Sequence, residues 1–358
     1  MKGKQKAWVF YEPLKMEWEE IDIPQLGPDE VLVRVKACGI CGSDIAYYWG
    51  DSPLETPNGK GPLVLGHELS GEIVEIGDIP QGLGLFEVGD RVTIDPVQYC
   101  NACEVCKKGQ PNLCENKSVL GVSVDGGFAQ YMKSKYTSIF KLPDSVTFEQ
   151  GAFCEPLADA MYAVQNLEVT LGDFCVLIGP GPIGLAQAQL ICSSGAGTVV
   201  VVGTRDYRLE IAKKNGADYV FNTKDKDSNY YIKDIKAKIA ELTDGKMADR
   251  VLIATGNPQS MGLPFEISGR RSVIVFFGLP GEKDIVPVPA LETILWDKRV
   301  KFSWLAPLTW PKSISAIANR LIDVDALVTH RYKLAELKDA LLKVKDRVGD
   351  PLKAIVIP

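Results

Sequence analysis

A long apolar stretch in the middle of the chain is the strongest feature in its pattern of hydrophobic and polar positions. Residues 174–204 contain no charged side chain, but glycines and prolines interrupt them at 179–184 and glycines again at 195–197. A membrane-spanning helix needs about 20 predominantly apolar residues in a row. A buried strand, a glycine turn, a helix and a second buried strand are therefore the better interpretation, and we expect no association with a membrane.

Strand and helix patterns alternate from this stretch onward. The predicted strands cover residues 174–178, 198–202, 218–221, 249–254 and 272–277. The predicted helices cover residues 182–190, 206–215, 230–242 and 259–268. Repeated strand–helix units are typical of a doubly wound parallel sheet, and so the pattern predicts an α/β fold for this part of the chain.

Composition and charge narrow the class of protein. The chain has 358 residues, of which 46% are hydrophobic and 24% charged, and this length allows two ordinary globular domains. The net charge of −6, from 40 basic and 46 acidic side chains, argues against a nucleic acid as the main partner. The basic N-terminal segment lacks the apolar run of a signal peptide, which predicts a cytoplasmic protein.

Four of the nine cysteines are closely spaced, in the pattern Cys-x2-Cys-x2-Cys-x7-Cys. They are Cys100, Cys103, Cys106 and Cys114. Cysteines in a cytosolic chain are more often ligands or core residues than disulfide partners. Four thiolates can close a tetrahedral shell around zinc and leave no position open for chemistry. Because the surrounding segment is polar and offers no core, we predict a structural zinc lobe at residues 98–115.

A second group of metal-ligating residue types lies on three separate segments. Cys41 lies in a glycine-rich loop, His67 follows a short apolar run, and Glu155 stands before a proline. One thiolate, one imidazole and one carboxylate make a mixed site with a coordination position left open for water or substrate. Zinc in such a site is a Lewis acid toward an alcohol oxygen, and Ser43 is placed to take the hydroxyl proton. A redox cofactor must then accept the hydride.

The glycine turn after the first predicted strand is the expected site of that cofactor. It has the Gly-x-Gly-x-x-Gly pattern and lies between a predicted strand and a predicted helix, which is the context that a dinucleotide site requires. Glycines let the backbone approach the pyrophosphate at the helix N-terminus. The residues expected to bind it are Gly179, Gly181, Pro182, Ile183 and Gly184.

The end of the second predicted strand bears on the choice between NAD and NADP. NAD sites normally carry an acidic residue there, which bonds the ribose 2′-hydroxyl. Here Gly203 takes that place, followed by Thr204, Arg205 and Arg208, and guanidinium groups can pair with a 2′-phosphate. In the alternative, Asp206 bonds the ribose and Arg205 is solvated. We favour NADP over NAD.

Taken in order, these motifs resemble the zinc-dependent medium-chain dehydrogenase/reductase family. The resemblance rests on Cys41-Gly-Ser-Asp, Gly66-His67-Glu68, the four-cysteine lobe, Glu155-Pro156 and the glycine turn, and it extends over essentially the whole chain. Glu155 stands where many alcohol dehydrogenases carry a cysteine ligand. The chain is therefore most similar to the polyol and threonine dehydrogenases, such as sorbitol dehydrogenase.

The resemblance implies an architecture and an assembly. A GroES-like, mainly β catalytic domain would comprise residues 1–155 and 306–358, and a Rossmann domain with a doubly wound parallel sheet would comprise residues 156–305. A homodimer or homotetramer with two zinc ions per subunit is expected. The resemblance also implies that the catalytic zinc is held by Cys41, His67 and either Glu68 or Glu155.

Two positions depart from the family pattern. Ala46 falls where many relatives have a histidine that relays the proton, so that the proton must leave Ser43 through water, the ribose or another group. Leu305 falls where sorbitol dehydrogenases carry an arginine near the substrate, which puts sorbitol itself in doubt.

Two further expectations concern single regions. The composition of residues 51–61 predicts an exposed loop that shapes the entrance to the substrate pocket, and His330 is expected to be structural.

The predicted function is hydride transfer between NAD(P) and a secondary hydroxyl of a polyol, a sugar or a hydroxy-amino acid. One alternative is a zinc-free quinone or enoyl reductase of the same superfamily, but such relatives lack the ligands at Cys41 and His67. The other is a nucleotide-binding protein without catalysis. The presence of Ser43 together with the predicted ligands counts against this second alternative.

Overall fold

The computed structural model describes residues 1–52 and 61–358, so most of the loop expected at 51–61 lies outside the described residues. The strands are β1 (Lys4–Glu12), β2 (Lys15–Asp22), β3 (Glu30–Ile40), β4 (Leu63–Val64), β5 (Glu68–Ile76), β6 (Arg91–Ile94), β7 (Val97–Gln98), β8 (Ser118–Val119), β9 (Tyr131–Lys135), β10 (Ile139–Lys141), β11 (Phe174–Ile178), β12 (Thr198–Gly203), β13 (Tyr219–Asn222), β14 (Ala248–Ile253), β15 (Ser268–Phe276), β16 (Arg299–Phe302), β17 (Val328–Lys333) and β18 (Lys353–Ile357).

The helices are interspersed among these strands. They are α1 (Gly42–Trp49), α2 (Asp78–Gly82), α3 (Glu104–Lys107), α4 (Phe148–Ala152), α5 (Cys154–Leu167), α6 (Pro182–Ser193), α7 (Asp206–Lys214), α8 (Ile235–Leu242), α9 (Leu263–Ile267), α10 (Ala290–Leu295), α11 (Trp310–Ala318) and α12 (Leu337–Lys345). None of the helices in the described part of the chain combines the length and the apolar character needed to cross a membrane.

The chain divides into two compact units. One comprises Met1–Pro156, Trp310–Asn319 and Val328–Pro358, and the other comprises Leu157–Thr309 and Arg320–Leu327. The first is mainly β and the second contains a parallel sheet, which confirms the predicted fold class. The domain boundaries given above stay predictions.

The first unit is built on a sheet of order β10-β6-β5-β3-β18-β17, with β9 also paired to β3. Alternate side chains of β3 form part of its core: Val31, Val33 and Val35 are at most 2% exposed. In the register of β3 with β5 and β18, Gly39 lies opposite Glu68 and Ile40 opposite Ala354. The end of β3, the start of β5 and the start of β18 are therefore adjacent.

The second unit contains the parallel sheet β13-β12-β11-β14-β15-β16. Both faces of β12 are buried, since the four valines at 199–202 are at most 2% exposed, as is usual where helices cover both faces of a sheet. The sheet grows in one direction from β11 through β12 and in the other through β14. In open α/β sheets, ligands bind at the carboxyl ends of the strands where this order reverses.

Two predicted helices differ from the structure. Helix α8 begins at Ile235 instead of 230, because the Asp234 side chain caps it by accepting a hydrogen bond from the Ala237 N–H (2.9 Å). The helix predicted at 259–268 is reduced to the short helix α9, because a 3₁₀ turn precedes it and the following strand already begins at Ser268.

Candidate active site

Two turns of the chain meet at the end of β3 in the first unit. Cys41 lies between β3 and α1, while His67 directly precedes β5, whose first residue is Glu68. Antiparallel pairing of β3 with β5 brings these two turns together. A Cβ atom at Gly39 would lie 2.1 Å from Glu68 Oε2 and would displace the carboxylate of Glu68.

The donor atoms of Cys41, His67 and Glu68 all lie within 4.8 Å of one another. Cys41 is half-buried, whereas His67 and Glu68 are only 7% and 1% exposed. A sulfur, a nitrogen and an oxygen donor suit zinc, which accepts all three. These residues therefore fit a zinc ion, with a coordination position left over for substrate.

A buried carboxylate lies behind the histidine. Asp44 is 0% exposed and accepts hydrogen bonds from the backbone N–H groups of Cys41 (2.8 Å) and Gly66 (3.2 Å). Its Oδ1 is 3.5 Å from His67 Nδ1. Burial on its own would lower the pKa of His67, but the charges of Asp44 and Cys41 outweigh it and raise the pKa well above its usual value. Surroundings that favour a cationic imidazole also favour a metal cation.

Glu68 has a buried counter-ion that the sequence analysis did not identify. Lys353 Nζ, at the start of β18, is 2.6 and 2.7 Å from the two oxygens of Glu68 and donates a hydrogen bond to the Ile40 carbonyl (3.3 Å). Burial lowers the pKa of Lys353, but the charge of Glu68 outweighs burial and raises it overall. The only sequence signal was a lone lysine at the start of an otherwise apolar strand.

Glu155 and Ser43 occupy different places around these donors. Glu155 is half-buried in the first turn of α5. Its charge also raises the pKa of Lys353, but it is outside the set of donors that lie within 4.8 Å of one another among the described residues. Ser43, in the first turn of α1, has its Oγ 3.4 Å from His67 Nε2. A hydroxyl therefore lies beside the donors.

Six of the other cysteines fall into two classes. Cys100, Cys103, Cys106 and Cys114 have their sulfur atoms within 4.8 Å of one another. Cys38 and Cys154, by contrast, are fully buried in the first unit, and burial raises the pKa of both thiols. We find no disulfide in the described residues, and each cysteine there is free.

The four-cysteine lobe is organised by local contacts. The short strands β7 and β8 pair at its base, and Cys103 stands at the start of α3. The N–H groups of Ala102 and Cys103 donate to Cys100 Sγ at 3.5 and 3.3 Å, and they lower the pKa of Cys100 to about 6. Burial raises the pKa of Cys106 to about 12. Four converging sulfurs fit a closed zinc site.

The glycine turn in the second unit has the geometry of a dinucleotide site. Gly179 adopts a left-handed conformation with φ +99°, and a Cβ at Gly184 would lie 2.2 Å from the Gly179 carbonyl oxygen. Gly181 stands directly before α6, which begins with Pro182 and Ile183. The turn thus leads into the N-terminus of a helix beside the point where the strand order reverses.

The end of β12, at Gly203, has neither an acidic side chain nor space for one. A Cβ at Gly203 would lie 2.7 Å from Pro180 Cγ, so an acidic residue has no room there. Asp206 accepts hydrogen bonds at Oδ1 from Asn222 Nδ2 (2.8 Å) and Ser228 Oγ (2.6 Å).

The remaining nucleotide candidates lie at the start of α7. Thr204 follows β12, Arg205 directly precedes the helix, and Arg208 lies within it.

His330 lies on β17 in the returning segment of the first unit and belongs to neither donor cluster found among the described residues. Its Nδ1 is 2.9 Å from Thr329 Oγ1, and its ring would contact a Cβ at Gly349. These contacts are local to the returning segment.

Comparison with known proteins agrees with this geometry in both units. Residues 27–144 match the family model of the alcohol dehydrogenase GroES-like domain, and residues 182–319 match that of zinc-binding dehydrogenases. The sorbitol dehydrogenase of Bacillus subtilis is 33% identical over 359 residues, which are 99% of this chain and 97% of that protein.

Two solved structures are similar over 99% of this chain. One is a zinc-binding dehydrogenase from Sinorhizobium meliloti bound to NADP, with a TM-score of 0.88, 27% identity and 100% of that chain covered. The other is described as a short chain alcohol dehydrogenase from Escherichia coli complexed with NADH, with a TM-score of 0.87, 28% identity and 99% of that chain covered.

Proposed function

Because the chain belongs to the zinc-dependent medium-chain dehydrogenase/reductase family, in the branch that contains the sorbitol dehydrogenases, we propose roles for its individual residues. The protein is an NAD(P)-dependent oxidoreductase that acts on a secondary hydroxyl of a small hydroxylated substrate. The observation that carries the assignment is the meeting of Cys41, His67 and Glu68 within 4.8 Å. Zinc-free reductases and non-catalytic proteins have no need of this donor set.

Cys41, His67 and Glu68 are the donors that lie close enough together to hold the catalytic zinc, and Glu155 takes the place of Glu68 while Glu68 remains paired with Lys353. Zinc supplies Lewis acidity toward the hydroxyl oxygen of the substrate. Lys353 Nζ lies within 2.7 Å of both oxygens of Glu68, and a carboxylate engaged by an ammonium on both oxygens is a weaker donor. For Glu68 to replace Glu155 as a zinc ligand, the ion pair between Glu68 and Lys353 must open.

The ligand assignment is tested by zinc content. Glu155→Gln should lower the zinc affinity of the catalytic site by at least tenfold, whereas Glu68→Gln should lower it less. The reverse order would assign the third position to Glu68 and reject the role proposed for Glu155.

Ser43 takes the hydroxyl proton of the substrate. Its Oγ lies 3.4 Å from His67 Nε2, and its hydroxyl can accept one proton while donating another.

NADP is the preferred nucleotide. Pro180 excludes a side chain at Gly203, and Asp206 is engaged with Asn222 and Ser228, so neither position offers a free acid to the ribose. Arg205 is then the residue that reads the 2′-phosphate. Arg205→Ala should raise the Michaelis constant for NADP about tenfold or more, because it removes one charge-assisted contact of about 1.5–3 kcal/mol. The Michaelis constant for NAD should change by less than twofold. Equal changes for both nucleotides would show that Arg205 does not read the phosphate.

The protein carries two zinc ions per chain, of which the second occupies the four-cysteine lobe. Support comes from the convergence of the four sulfur atoms. Metal analysis of protein purified without chelator should give about two zinc per chain. A value of one would remove one of the two proposed sites.

The protein forms a homodimer, or a homotetramer containing that dimer, through the outer edge of β16. This strand is at the edge of the parallel sheet. Unpaired cations on an edge strand oppose pairing with another chain, but Arg299 and Lys301 of β16 form ion pairs with Glu168. Beside it, Ile294 is 75% and Phe302 65% exposed. An open edge with an adjoining apolar surface favours self-pairing about a twofold axis.

Light scattering tests this assembly. Phe302→Glu should lower the mass to that of a monomer, while the matched substitution Leu171→Glu, at an exposed leucine of the same unit (89% exposed), should not. An unchanged mass for Phe302→Glu would reject this interface.

The substrate class is tested by an activity screen of polyols, sugars and threonine against NAD and NADP, with zinc present. We expect oxidation of a polyol or sugar, faster with NADP. No turnover of any secondary hydroxyl compound by zinc-loaded protein would overturn the proposed residue roles. A cytoplasmic location stays a prediction.

A further inference from the structure

The outer part of the proton path, beyond Ser43, has no histidine at position 46 in this protein. Oxidation of an alcohol releases one hydride, which the nicotinamide accepts, and one proton, which must reach solvent. Ser43 lies beside His67, but position 46, where the family resemblance implies a proton-relaying histidine, holds alanine. A methyl group can neither accept nor donate a proton. The inference that follows rests on the proposed function of this site.

Helix α1 places a phenol one turn beyond Ser43. Residues four positions apart share a helix face, so Tyr47 follows Ser43 on the same face of α1. The Tyr47 side chain is only 6% exposed, and a buried tyrosine hydroxyl usually has a hydrogen-bond partner. Here that partner is Ser52, which is half-buried next to the exposed Asp51.

The electrostatics of Tyr47 connect it with the metal donors. Burial raises the pKa of the Tyr47 phenol above its usual value, and the hydrogen bond with Ser52 opposes this shift. The charges that act on the phenol are those of the site itself, at His67, Asp44 and Cys41. The hydroxyl of Tyr47 therefore lies within the electrostatic reach of these donors and is hydrogen-bonded to the half-buried Ser52.

The adjacent Tyr48 is a natural contrast. It is also buried, at 4% exposure, but its hydroxyl donates to the backbone carbonyl of Leu14 at 3.3 Å. Its hydrogen bond is structural, and it ties α1 to the turn between β1 and β2. Of the two neighbouring tyrosines, only Tyr47 has a hydroxyl bonded to another hydroxyl.

We propose that Tyr47 and Ser52 form the outer part of the proton path and replace the histidine that is absent at position 46. The Ser43 oxygen accepts the substrate's hydroxyl proton and gives up its own, which reaches the Tyr47 oxygen by way of water. Tyr47 in turn passes its proton through Ser52 to solvent. Each hydroxyl gains one proton and loses one, so no charge remains on the path. The C–H electron pair leaves with the hydride to NAD(P)⁺.

Tyr47→Phe tests the path and keeps the ring in place. Nucleotide reduction and proton release should be followed together by stopped flow, the latter with a pH indicator. We expect both to slow about 10- to 100-fold near neutral pH, which is at or below the lower limit of the usual contribution of about 10²–10⁴-fold, because water can take over part of the transfer. The rate should recover as pH rises, because hydroxide then takes the proton. Zinc content, NADPH affinity and melting temperature should match the wild type.

Tyr48→Phe is the matched control. It removes a phenol of the same size from the same helix, and its effect should be confined to the melting temperature, with an unchanged pH profile. Ser52→Ala should slow proton release less than Tyr47→Phe does, because water can substitute for a hydroxyl nearer the surface.

Restoring the histidine separates a proton path from a structural role. In the double variant Ala46→His with Tyr47→Phe, the imidazole supplies the missing acceptor, and the rate should rise at least tenfold above that of Tyr47→Phe alone. The proposal is overturned if Tyr47→Phe retains the wild-type rate and pH profile, or if it raises only the Michaelis constant. Inactivity of the wild type itself would instead reject the proposed function.

Discussion

The four-cysteine lobe and the mixed site at Cys41 and His67 use metal-ligating side chains in opposite ways. In the lobe, four like donors come from one short segment, and backbone N–H groups assist a sulfur. In the mixed site, unlike donors come from separate turns, and buried charges on Asp44 and Lys353 surround them. The first arrangement closes a shell, whereas the second leaves room for a substrate. Donor number and donor origin together separate a structural site from a reactive one.

Removing a ligand of the mixed site should give the largest effect. Cys41→Ser should lower turnover more than about a thousandfold, since it weakens a Lewis-acid contribution of several kcal/mol. Zinc content should fall from about two to about one per chain, while folding and nucleotide binding persist. Turnover at the wild-type level, with the metal content measured in the same preparation, would contradict a catalytic zinc at Cys41.

Removing the buried counter-ion should give the next largest effect, and it should depend on the metal. Lys353→Met leaves Glu68 buried without its cation, a loss of about 3–5 kcal/mol, or roughly 6–20 °C in melting temperature at about 2–4 °C per kcal/mol. The loss should be larger in chelated protein than in zinc-loaded protein, because zinc offsets the uncompensated charge.

Lys353→Arg is the control for this comparison, because it retains the positive charge and should lose less stability than Lys353→Met. If the two variants melt together in calorimetry, with and without chelator, the charge of Lys353 is not what stabilises Glu68.

Breaking the lobe should give the smallest effect on catalysis. Cys103→Ser should lower the melting temperature by about 4–8 °C, equivalent to roughly 2 kcal/mol, and leave turnover within about threefold of wild type. The same melting temperature with one zinc fewer would argue that the lobe is not structural. A loss of turnover as large as that of Cys41→Ser would erase the contrast between the two sites.

The same contrast explains how much the sequence alone could reveal. The spacing of the lobe's cysteines is a local property, so it predicts the cluster directly. Cys41 and His67 were recognisable as metal-ligating types, but their proximity depends on the pairing of β3 with β5. Lys353 was missed because it is 285 positions from Glu68, and no local pattern connects them. The choice between Glu68 and Glu155 stayed open for the same reason.

The parallel sheet was easier to predict than the ends of its helices. The apolar runs at 174–178 and 198–202 correspond to β11 and β12, because a strand buried on both faces must be apolar throughout. The predicted start of α8 was wrong by five residues, because the Asp234 side chain caps the helix at that point by accepting a hydrogen bond from the Ala237 N–H. A capping contact of this kind depends on a few atoms, and the hydrophobic pattern does not reveal it.

The separation of Glu68 from Lys353 has a consequence for the newly made chain. At translation speeds of about 5–20 residues per second, the 285 positions between them take roughly 15 to 60 seconds to synthesise. During that interval Cys41, His67 and Glu68 already exist, but the lysine does not. The carboxylate of Glu68 therefore gains its counter-ion only when the chain is almost complete.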